Sequence, residues 1–474
     1  MKLKSKGGVS LLLMVMLVLS AVILIGCSED AQEENDAQEE SPVEADSEEN
    51  DDSTEAGSEL TPEEVYGLLY DEDYVFVDTR INDAYNGWAL DGVVRGGHLP
   101  GAVDFSARWL TLEEPLDEDT ILELLEERGI TEEKQVVLYD VTGEDREAVK
   151  EVLTGLGFEN LLLFDLNPWA EDEEYPLVQH PNYQLIVPAV VVKAVIDGET
   201  PETFENAKNI KVVEASWGEE ETSYANGHVP GTFHINTDAV EPPPEWMLAD
   251  DETLTEFALS HGFTAEDTVI VTSEDYLAAF RVAVVLQYIG VEDVRVLNGG
   301  LQAWVAEGFE LETDRHDPVP VEDFGAAIPG RPELIVTIPE LKDRLENDDS
   351  FTLVDNRTWE EHIGETSGYS YHDKEGRIPG SVFGYAGFEN AYSMEYYRNP
   401  DQTMRNPEIL KGLWEGRGID LEKHLSFMCG SGWRAAEVLY YAHVMGLENT
   451  SLYSDGWIGW SMEGDRPFET GQPE

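Results

Sequence analysis

The feature that most constrains the fold is an internal repeat of short β-rich runs and helical segments, which occurs three times. Each copy has a first strand, a Gly-x-x-Pro-Gly turn, a second strand, a loop, a helix and a third strand. This alternation is typical of parallel α/β units, whose ligands bind beyond the carboxyl ends of the strands. The sequence therefore predicts three tandem α/β domains, with candidate sites in the loops at 140–146, 273–281 and 429–434.

The N-terminus has the pattern of an export signal. Basic residues at 2–6 precede an apolar run at 9–25, which ends in Leu24-Ile25-Gly26-Cys27. This ending resembles a bacterial lipobox, which implies cleavage before Cys27 and lipidation of its thiol. The protein is then expected in the cell envelope, lipid-anchored on the outer face of the cytoplasmic membrane. The alternative is an uncleaved anchor, although the run is near the short limit for a membrane span. An intact mass of the mature N-terminus would separate the two.

The segment 28–60 is acidic and polar and has no Lys or Arg, so it is predicted to be a disordered tether. The domains are then expected at 61–180, 181–325 and 326–474. The acidity is global, because 99 acidic residues against 29 basic ones give a net charge of −70. Such a chain repels itself at low salt, so we expect a halophilic protein whose melting temperature rises with salt. The charge also argues against nucleic acid as a partner.

The chemistry is expected at Cys429, which is one of only two cysteines. An apolar strand at 425–428 delivers it into a loop of small residues, and a helical pattern follows. Backbone N–H groups and the positive end of a helix favour a thiolate, which is a nucleophile at neutral pH. The predicted catalytic residue is therefore Cys429. The predicted substrate cradle is formed by Gly430, Ser431, Gly432 and Trp433.

The ordered motifs Asp-x-Arg, Gly-His-x-Pro-Gly, the cysteine loop and a closing Gly-Trp resemble the rhodanese domain. The region from 61 onward resembles the three-domain rhodanese-type sulfurtransferases of the bacterial cell envelope. The third copy is the most specific, in its segments 364–371, 394–401 and 403–405 and in Cys-Gly-Ser-Gly-Trp-Arg-Ala. The resemblance implies three rhodanese-like domains, each a mainly parallel sheet flanked by helices.

The resemblance also implies a reaction. Cys429 would take the outer sulfur of thiosulfate as a persulfide and pass it to cyanide, a thiol or an acceptor protein. One alternative is 3-mercaptopyruvate as the donor, and another is a sulfur carrier that does not turn over. No cofactor and no metal are expected.

Four further residues of the third copy are candidates for supporting roles. Arg434 closes the loop and is predicted either to bind an anionic donor or to hold the loop structurally. Arg377 replaces the histidine of the Gly-His turn, and it could bind an anionic substrate or stabilise the turn. Asp355 and Arg357 are expected to form a structural ion pair behind the loop.

The first two copies are expected to be silent. The position of the cysteine aligns with Asp140 in the first copy and with Ser273 or a neighbour in the second, and neither side chain can carry a persulfide. Asp140 is interpreted as a solvated loop residue, with an acid–base role as the alternative. His98 and His228 lie in the Gly-His turns and are assigned to the fold, because no Cys/His spacing suggests zinc.

A phosphatase or arsenate reductase also uses a loop from a cysteine to an arginine. Four residues separate Cys429 from Arg434, whereas the phosphatase relatives of this fold use five. A tetrahedral oxyanion needs the larger cradle, and a single sulfur atom fits the shorter one. The loop length therefore favours sulfur transfer.

Overall fold

The computed structural model describes residues 59–462 and 466–473. Cys27, the predicted signal and most of the predicted tether lie outside these residues, so the predictions about them stay predictions. The last two residues of that tether, Glu59–Leu60, form a strand of the first sheet. Within the described part of the chain, no helix combines the length and the apolar character needed to cross a membrane.

Three parallel sheets form the centres of the three domains, which confirms the predicted fold class. The strand orders are β1-β5-β4-β2-β3, β6-β10-β9-β7-β8 and β12-β11-β13-β14. In the third sheet a parallel bridge from Ile335 to Leu452 stands where the other two sheets have a short edge strand. The strands are β1 Glu59–Leu60, β2 Tyr74–Asp78, β3 Val103–Asp104, β4 Gln135–Asp140, β5 Leu161–Asp165, β6 Ile186–Val187, β7 Lys211–Ser216, β8 Phe233–Asn236, β9 Thr268–Thr272, β10 Asp293–Leu297, β11 Phe351–Asp355, β12 Val382–Phe383, β13 His424–Met428 and β14 Thr450–Leu452.

Most residues of the central strands are buried, as expected for parallel sheets that are covered on both faces. Several helices begin at the residues that favour an N-cap. Thr61 and Thr358, for example, form capping boxes with the glutamates three residues later. The helices are α1 Pro62–Leu68, α2 Asn82–Asn86, α3 Glu118–Glu127, α4 Glu144–Gly155, α5 Leu166–Glu171, α6 Ala189–Ile196, α7 Asp251–Ser260, α8 Tyr276–Ile289, α9 Gly300–Ala306, α10 Ile338–Asn347, α11 Trp359–Ile363, α12 Pro407–Glu415, α13 Trp433–Val444 and α14 Gly456–Met462.

The second and third domains share one hydrophobic core. Helices α8 and α13 pack against each other, and nearly all of their residues are buried. The hydroxyl of Tyr440 in α13 donates a hydrogen bond to the carbonyl of Val294 in β10 at 2.7 Å. Since α13 begins directly after the Cys429 loop, this packing places the loop beside the second domain.

Candidate active site

Cys429 lies directly after β13, at the carboxyl end of a central strand of the third sheet. Its side chain is buried, and the backbone N–H of Gly432 donates a hydrogen bond to Sγ at 3.1 Å. Gly432 adopts the left-handed conformation, with φ 93°, and is the N-cap of α13. The strand, the turn and the helix therefore bring the sulfur to a helix N-terminus, as the sequence pattern indicated.

The first turn of α14 holds the loop from behind. The N–H groups of Trp457 and Ile458 donate to the carbonyls of Cys429 and Gly430 at 2.8 and 3.0 Å. Gly456 permits this contact, because a Cβ there would lie 2.4 Å from the carbonyl oxygen of Gly430. The Gly-Trp motif after β14 therefore has a steric reason, since a side chain at Gly456 would push the cysteine loop forward.

Arg434 is buried and forms a two-pronged salt bridge with Glu361. Its Nη1 and Nη2 donate to the two carboxylate oxygens at 2.8 and 2.9 Å, and Nη2 also donates to the hydroxyl of Tyr369 at 3.0 Å. Burial disfavours both charges, but the pairing keeps the pKa of Glu361 below and that of Arg434 above the usual value. Of the two roles considered for Arg434, this geometry supports the structural one.

Two tyrosines stand over the loop. Tyr369 is close enough to Gly430 that a Cβ on this glycine would lie 2.0 Å from the tyrosine hydroxyl. Tyr371 is 55% exposed and stacks obliquely on Tyr369, with ring centroids 5.4 Å apart. Burial, with smaller contributions from Tyr392 and Cys429, raises the pKa of Tyr371 to about 12. Burial also raises the pKa of Tyr369 above its usual value, so both hydroxyls are protonated at neutral pH.

The second domain contributes side chains to the site. The indole of Trp433 donates through Nε1 to Glu241 at 2.5 Å, and Glu241 forms a buried ion pair with Arg281. Arg281 also donates to the hydroxyl of Ser454 at 2.7 Å, behind the cysteine loop. Trp433 therefore packs between the second and third domains, and its place in the substrate cradle stays a prediction. Ser431 is half-buried in the same loop.

The predicted support behind the loop has the geometry of an ion pair. The guanidinium of Arg357 donates to both oxygens of Asp355 at 2.8 and 2.7 Å, and to the carbonyl of Gly376 at 2.9 Å. Burial opposes the charge of Asp355, but Arg357 and His362 hold its pKa well below the usual range. This pair connects the end of β11 to the Gly-x-x-Pro-Gly turn.

Arg377 faces the C-terminal segment. Its guanidinium lies 3.0 Å from the carboxylate of Glu469 and donates to the carbonyl of Gly471 at 2.6 Å. These contacts support the turn-stabilising alternative for Arg377. Substrate binding by this residue stays a prediction.

Strand register aligns the three loops. Tyr139 in β4, Thr272 in β9 and Met428 in β13 each pair with the acidic residue of the neighbouring strand that begins the Asp-x-Arg motif or its counterpart. The residues that follow them, Asp140, Ser273 and Cys429, are therefore equivalent. The carboxylate of Asp140 accepts hydrogen bonds from the N–H groups of Asp145 and Arg146 at 3.0 and 3.4 Å. Asp140 is buried and held by these N–H groups, so its interpretation as a solvated loop residue is wrong.

The second domain lacks the ion pair that the other two place behind the loop. Asp78 pairs with Arg80 as Asp355 pairs with Arg357. In the second domain the equivalent acid is Glu214, and the residue two positions after it is Ser216 instead of an arginine. Burial without a cationic partner raises the pKa of Glu214 to about 8. The folded state therefore keeps a proton that the unfolded chain releases near pH 4.5.

Because the folded state binds this extra proton, wild-type stability should fall as pH rises from about 4.5 toward about 8. Glu214→Gln removes this dependence. The free energy of unfolding of the variant minus that of the wild type should therefore increase by about 1.4 kcal/mol for each pH unit in that window. Urea unfolding between pH 5 and pH 9 measures the difference, with the exposed Glu205→Gln as the control. A difference that is constant with pH would contradict the assignment.

Several residues of the site were not identified from the sequence. Glu361 shows only the local signal of a capping box, and Tyr369 and Tyr371 lie in a segment noted for its family resemblance without a role. Glu241 and Arg281 come from a silent copy, where no local pattern marks them. Their positions follow from the packing of the second domain on the third.

The family model of the rhodanese-like domain matches three segments of the chain, at residues 61–167, 199–307 and 337–463. The thiosulfate sulfurtransferase YnjE of Escherichia coli (strain K12) is 35% identical over 398 residues, which are 84% of this chain and 89% of that protein. The 3-mercaptopyruvate sulfurtransferase of the same organism is 28% identical over 263 residues, 54% of this chain and 89% of that protein. A solved structure of the anaerobic ergothioneine biosynthesis enzyme from Chlorobium limicola, in complex with trimethyl histidine, is also similar. It has 36% sequence identity and a TM-score of 0.82, and the match covers 88% of this chain and 100% of that one.

Proposed function

Because this chain belongs to the rhodanese family and is a sulfurtransferase, we propose that Cys429 carries the transferred sulfur as a persulfide. Its thiolate attacks the outer sulfur of thiosulfate, the S–S bond of the donor breaks, and sulfite leaves with the bonding electron pair. The persulfide then gives its outer sulfur to a nucleophile such as cyanide or a thiol, and the thiolate of Cys429 is restored. No external oxidant or reductant is needed.

The observation that carries this proposal is the hydrogen bond from the N–H of Gly432 to Sγ at the N-terminus of α13. An N–H group at a helix N-terminus stabilises negative charge on sulfur, so it supports the thiolate before the attack. The small residues of the loop leave its backbone accessible to the added sulfur atom, whose charge the same turn can bind. Of the residues at the three equivalent loop positions, only Cys429 has a thiol.

The test is a mass measurement after the protein reacts with thiosulfate alone. The wild type should gain ~32 Da, one sulfur atom, and lose it again when cyanide is added. Cys429→Ala should gain nothing, whereas Cys27→Ala, which removes the other thiol, should gain the same mass as the wild type. A gain in Cys429→Ala, or none in the wild type with any sulfane donor, would refute the persulfide at Cys429. Formation of the persulfide without repeated turnover would indicate a sulfur carrier.

The donor is proposed to be thiosulfate, with 3-mercaptopyruvate as the alternative. YnjE supports the first, since it matches most of this chain, and the 3-mercaptopyruvate sulfurtransferases support the second over about half of it. The initial rates of persulfide formation with the two donors, measured on the same preparation, would identify the better one.

A second candidate acceptor is trimethyl histidine, the substrate named for the similar C. limicola enzyme. The specific observation is a set of aromatic rings beside the loop. The ring centroid of Tyr371 lies 5.8 Å from that of Trp246, and the ring centroid of Tyr392 lies 6.2 Å from that of Tyr369. Tyr371 and Tyr392 are more than half exposed. Exposed aromatic faces attract a quaternary ammonium group through cation–π interactions, so this surface suits a trimethylated amine.

The acceptors can be compared on persulfidated protein. If trimethyl histidine is an acceptor, it should remove the added sulfur and yield ergothioneine. Tyr371→Leu should then raise the KM for trimethyl histidine and leave the reaction with cyanide unchanged. Tyr66→Leu is the matched control, because Tyr66 in the first domain is also 55% exposed. Removal of sulfur by cyanide but not by trimethyl histidine would exclude this acceptor.

A further inference from the structure

A cluster of two histidines and one glutamate lies in the second domain, away from the cysteine loop. Nε2 of His316 is 2.6 Å from Oε1 of Glu312, and Nε2 of His228 is 3.6 Å from the same oxygen. One ligand atom from each of the three residues lies within 4.8 Å of the others. His228 comes from the Gly-His turn before β8, and the other two residues follow α9, so only the fold brings them together.

His228 is oriented as a ligand. Its Nδ1 lies 2.8 Å from the carbonyl of Tyr224, and since a carbonyl only accepts, Nδ1 carries the proton. In the tautomer with a proton on Nδ1 alone, the lone pair of Nε2 points into the cluster. The side chain is fully buried, and Nε2 has no hydrogen-bond partner among the described residues. A buried imidazole nitrogen without a partner is costly, and a hydrogen bond from the other ring nitrogen to a carbonyl is the usual arrangement of a metal-binding histidine.

The other two domains show how this position differs. In each domain the residue after the first glycine of the Gly-x-x-Pro-Gly turn forms an antiparallel bridge to a later segment, and the three pairs are His98–Val178, His228–Glu312 and Arg377–Glu469. In the third domain Arg377 supplies a cation to the carboxylate. In the first domain there is no carboxylate to neutralise. In the second domain the carboxylate of Glu312 accepts from the backbone N–H of Gly231 and faces two imidazoles instead of an arginine.

The surroundings favour a cation. The nearby Arg315 is already paired with Glu220 and Asp317. The side chains of Glu312 and His316 are 28% and 42% exposed, so an ion can enter from solvent and both side chains can adjust. The backbone N–H of His316 donates to the hydroxyl of Tyr224 at 3.2 Å, which fixes this segment beside His228.

We propose that His228, Glu312 and His316 bind a divalent transition metal of the zinc class. Two imidazole nitrogens and one carboxylate suit zinc, with bonds of about 2.0–2.2 Å and a fourth position for water. The sequence offered no zinc spacing, and His228 was assigned to the fold alone. The bound ion would join the Gly-His turn to the segment that leads from the second domain toward the third.

The experiment uses the full chain with both cysteines replaced, Cys27→Ser and Cys429→Ser, so that no thiol competes. Zn²⁺ affinity and stoichiometry are measured by competition with a chromogenic chelator, and Co²⁺ absorption reports the coordination geometry. We expect one Zn²⁺ per chain, a tetrahedral Co²⁺ spectrum and a melting temperature that rises with Zn²⁺.

Glu312→Gln and His316→Gln should each weaken Zn²⁺ binding at least about 10-fold. Loss of a residue that only supports a metal ligand already weakens binding by about 10-fold or more, and these two residues are proposed as ligands themselves. Both positions are partly exposed, so these variants should fold, which circular dichroism checks. Glu310→Gln is the control, because it removes a nearby exposed carboxylate outside the cluster. Equal affinity in the thiol-free parent and both ligand variants would show adventitious binding to the acidic surface and would overturn the proposal. The absence of specific Zn²⁺ and Co²⁺ binding in the thiol-free parent would also overturn it.

Discussion

Cys429→Ser should lower kcat for sulfur transfer at least about 10³-fold, because a serine hydroxyl cannot form or hold the persulfide intermediate. The substitution changes one buried atom in a loop whose backbone is held by Trp457 and Ile458, so the fold should be retained. The loss should therefore appear in turnover and not in the free energy of unfolding.

Steady-state release of sulfite from thiosulfate, with cyanide as the acceptor, measures this effect. Cys27→Ser serves as the control, since it removes the other cysteine and should retain full activity. Turnover of Cys429→Ser at the wild-type rate would refute the catalytic role. A large loss of activity in Cys27→Ser would show that the chemistry needs a second thiol.

Arg434→Met should destabilise the protein by about 3–5 kcal/mol, because it leaves the buried carboxylate of Glu361 without its cation. The partner variant Glu361→Leu should be destabilising for the corresponding reason. The double variant should cost less than the sum of the two single ones, since neither charge then remains buried alone. Urea unfolding of the three variants gives the coupling energy.

The partly exposed pair Arg344–Glu340 in α10 is the matched control. Arg344→Ala should cost no more than about 1 kcal/mol, because a surface ion pair contributes little. If Arg434 instead binds the anionic donor, Arg434→Met should raise the KM for thiosulfate and leave the stability near that of the wild type. The two roles that the sequence left open for Arg434 therefore give different results.

The repeat and the fold class could be predicted because their signals are local. Strand runs, Gly-x-x-Pro-Gly turns and helix starts are readable in short windows, and three ordered copies exclude a chance match. The positions equivalent to Cys429 could be predicted as Asp140 and as Ser273 or a neighbour, and strand register identifies Ser273. The place of the thiol at a strand-to-helix turn followed from the residues on either side of it.

Contacts between distant segments could not be predicted in this way. Glu361 lies in α11 and Arg434 in α13, and many other acidic residues in this chain could have been the partner of the arginine. The Glu241–Arg281 pair reaches the cysteine loop from a domain that has no thiol of its own. Local patterns carry no record of which charged side chains become buried together.

The sequence by itself determined three α/β repeats, one of which has a thiol at the end of a central strand. The tertiary structure decided what surrounds that thiol: a buried ion pair at Arg434, two tyrosines over Gly430, and side chains from the second domain behind Trp433. The physical reason is that secondary structure depends on residues close in the chain. The partner of a buried charge or an unpaired imidazole, in contrast, depends on which helices and turns share the same interior.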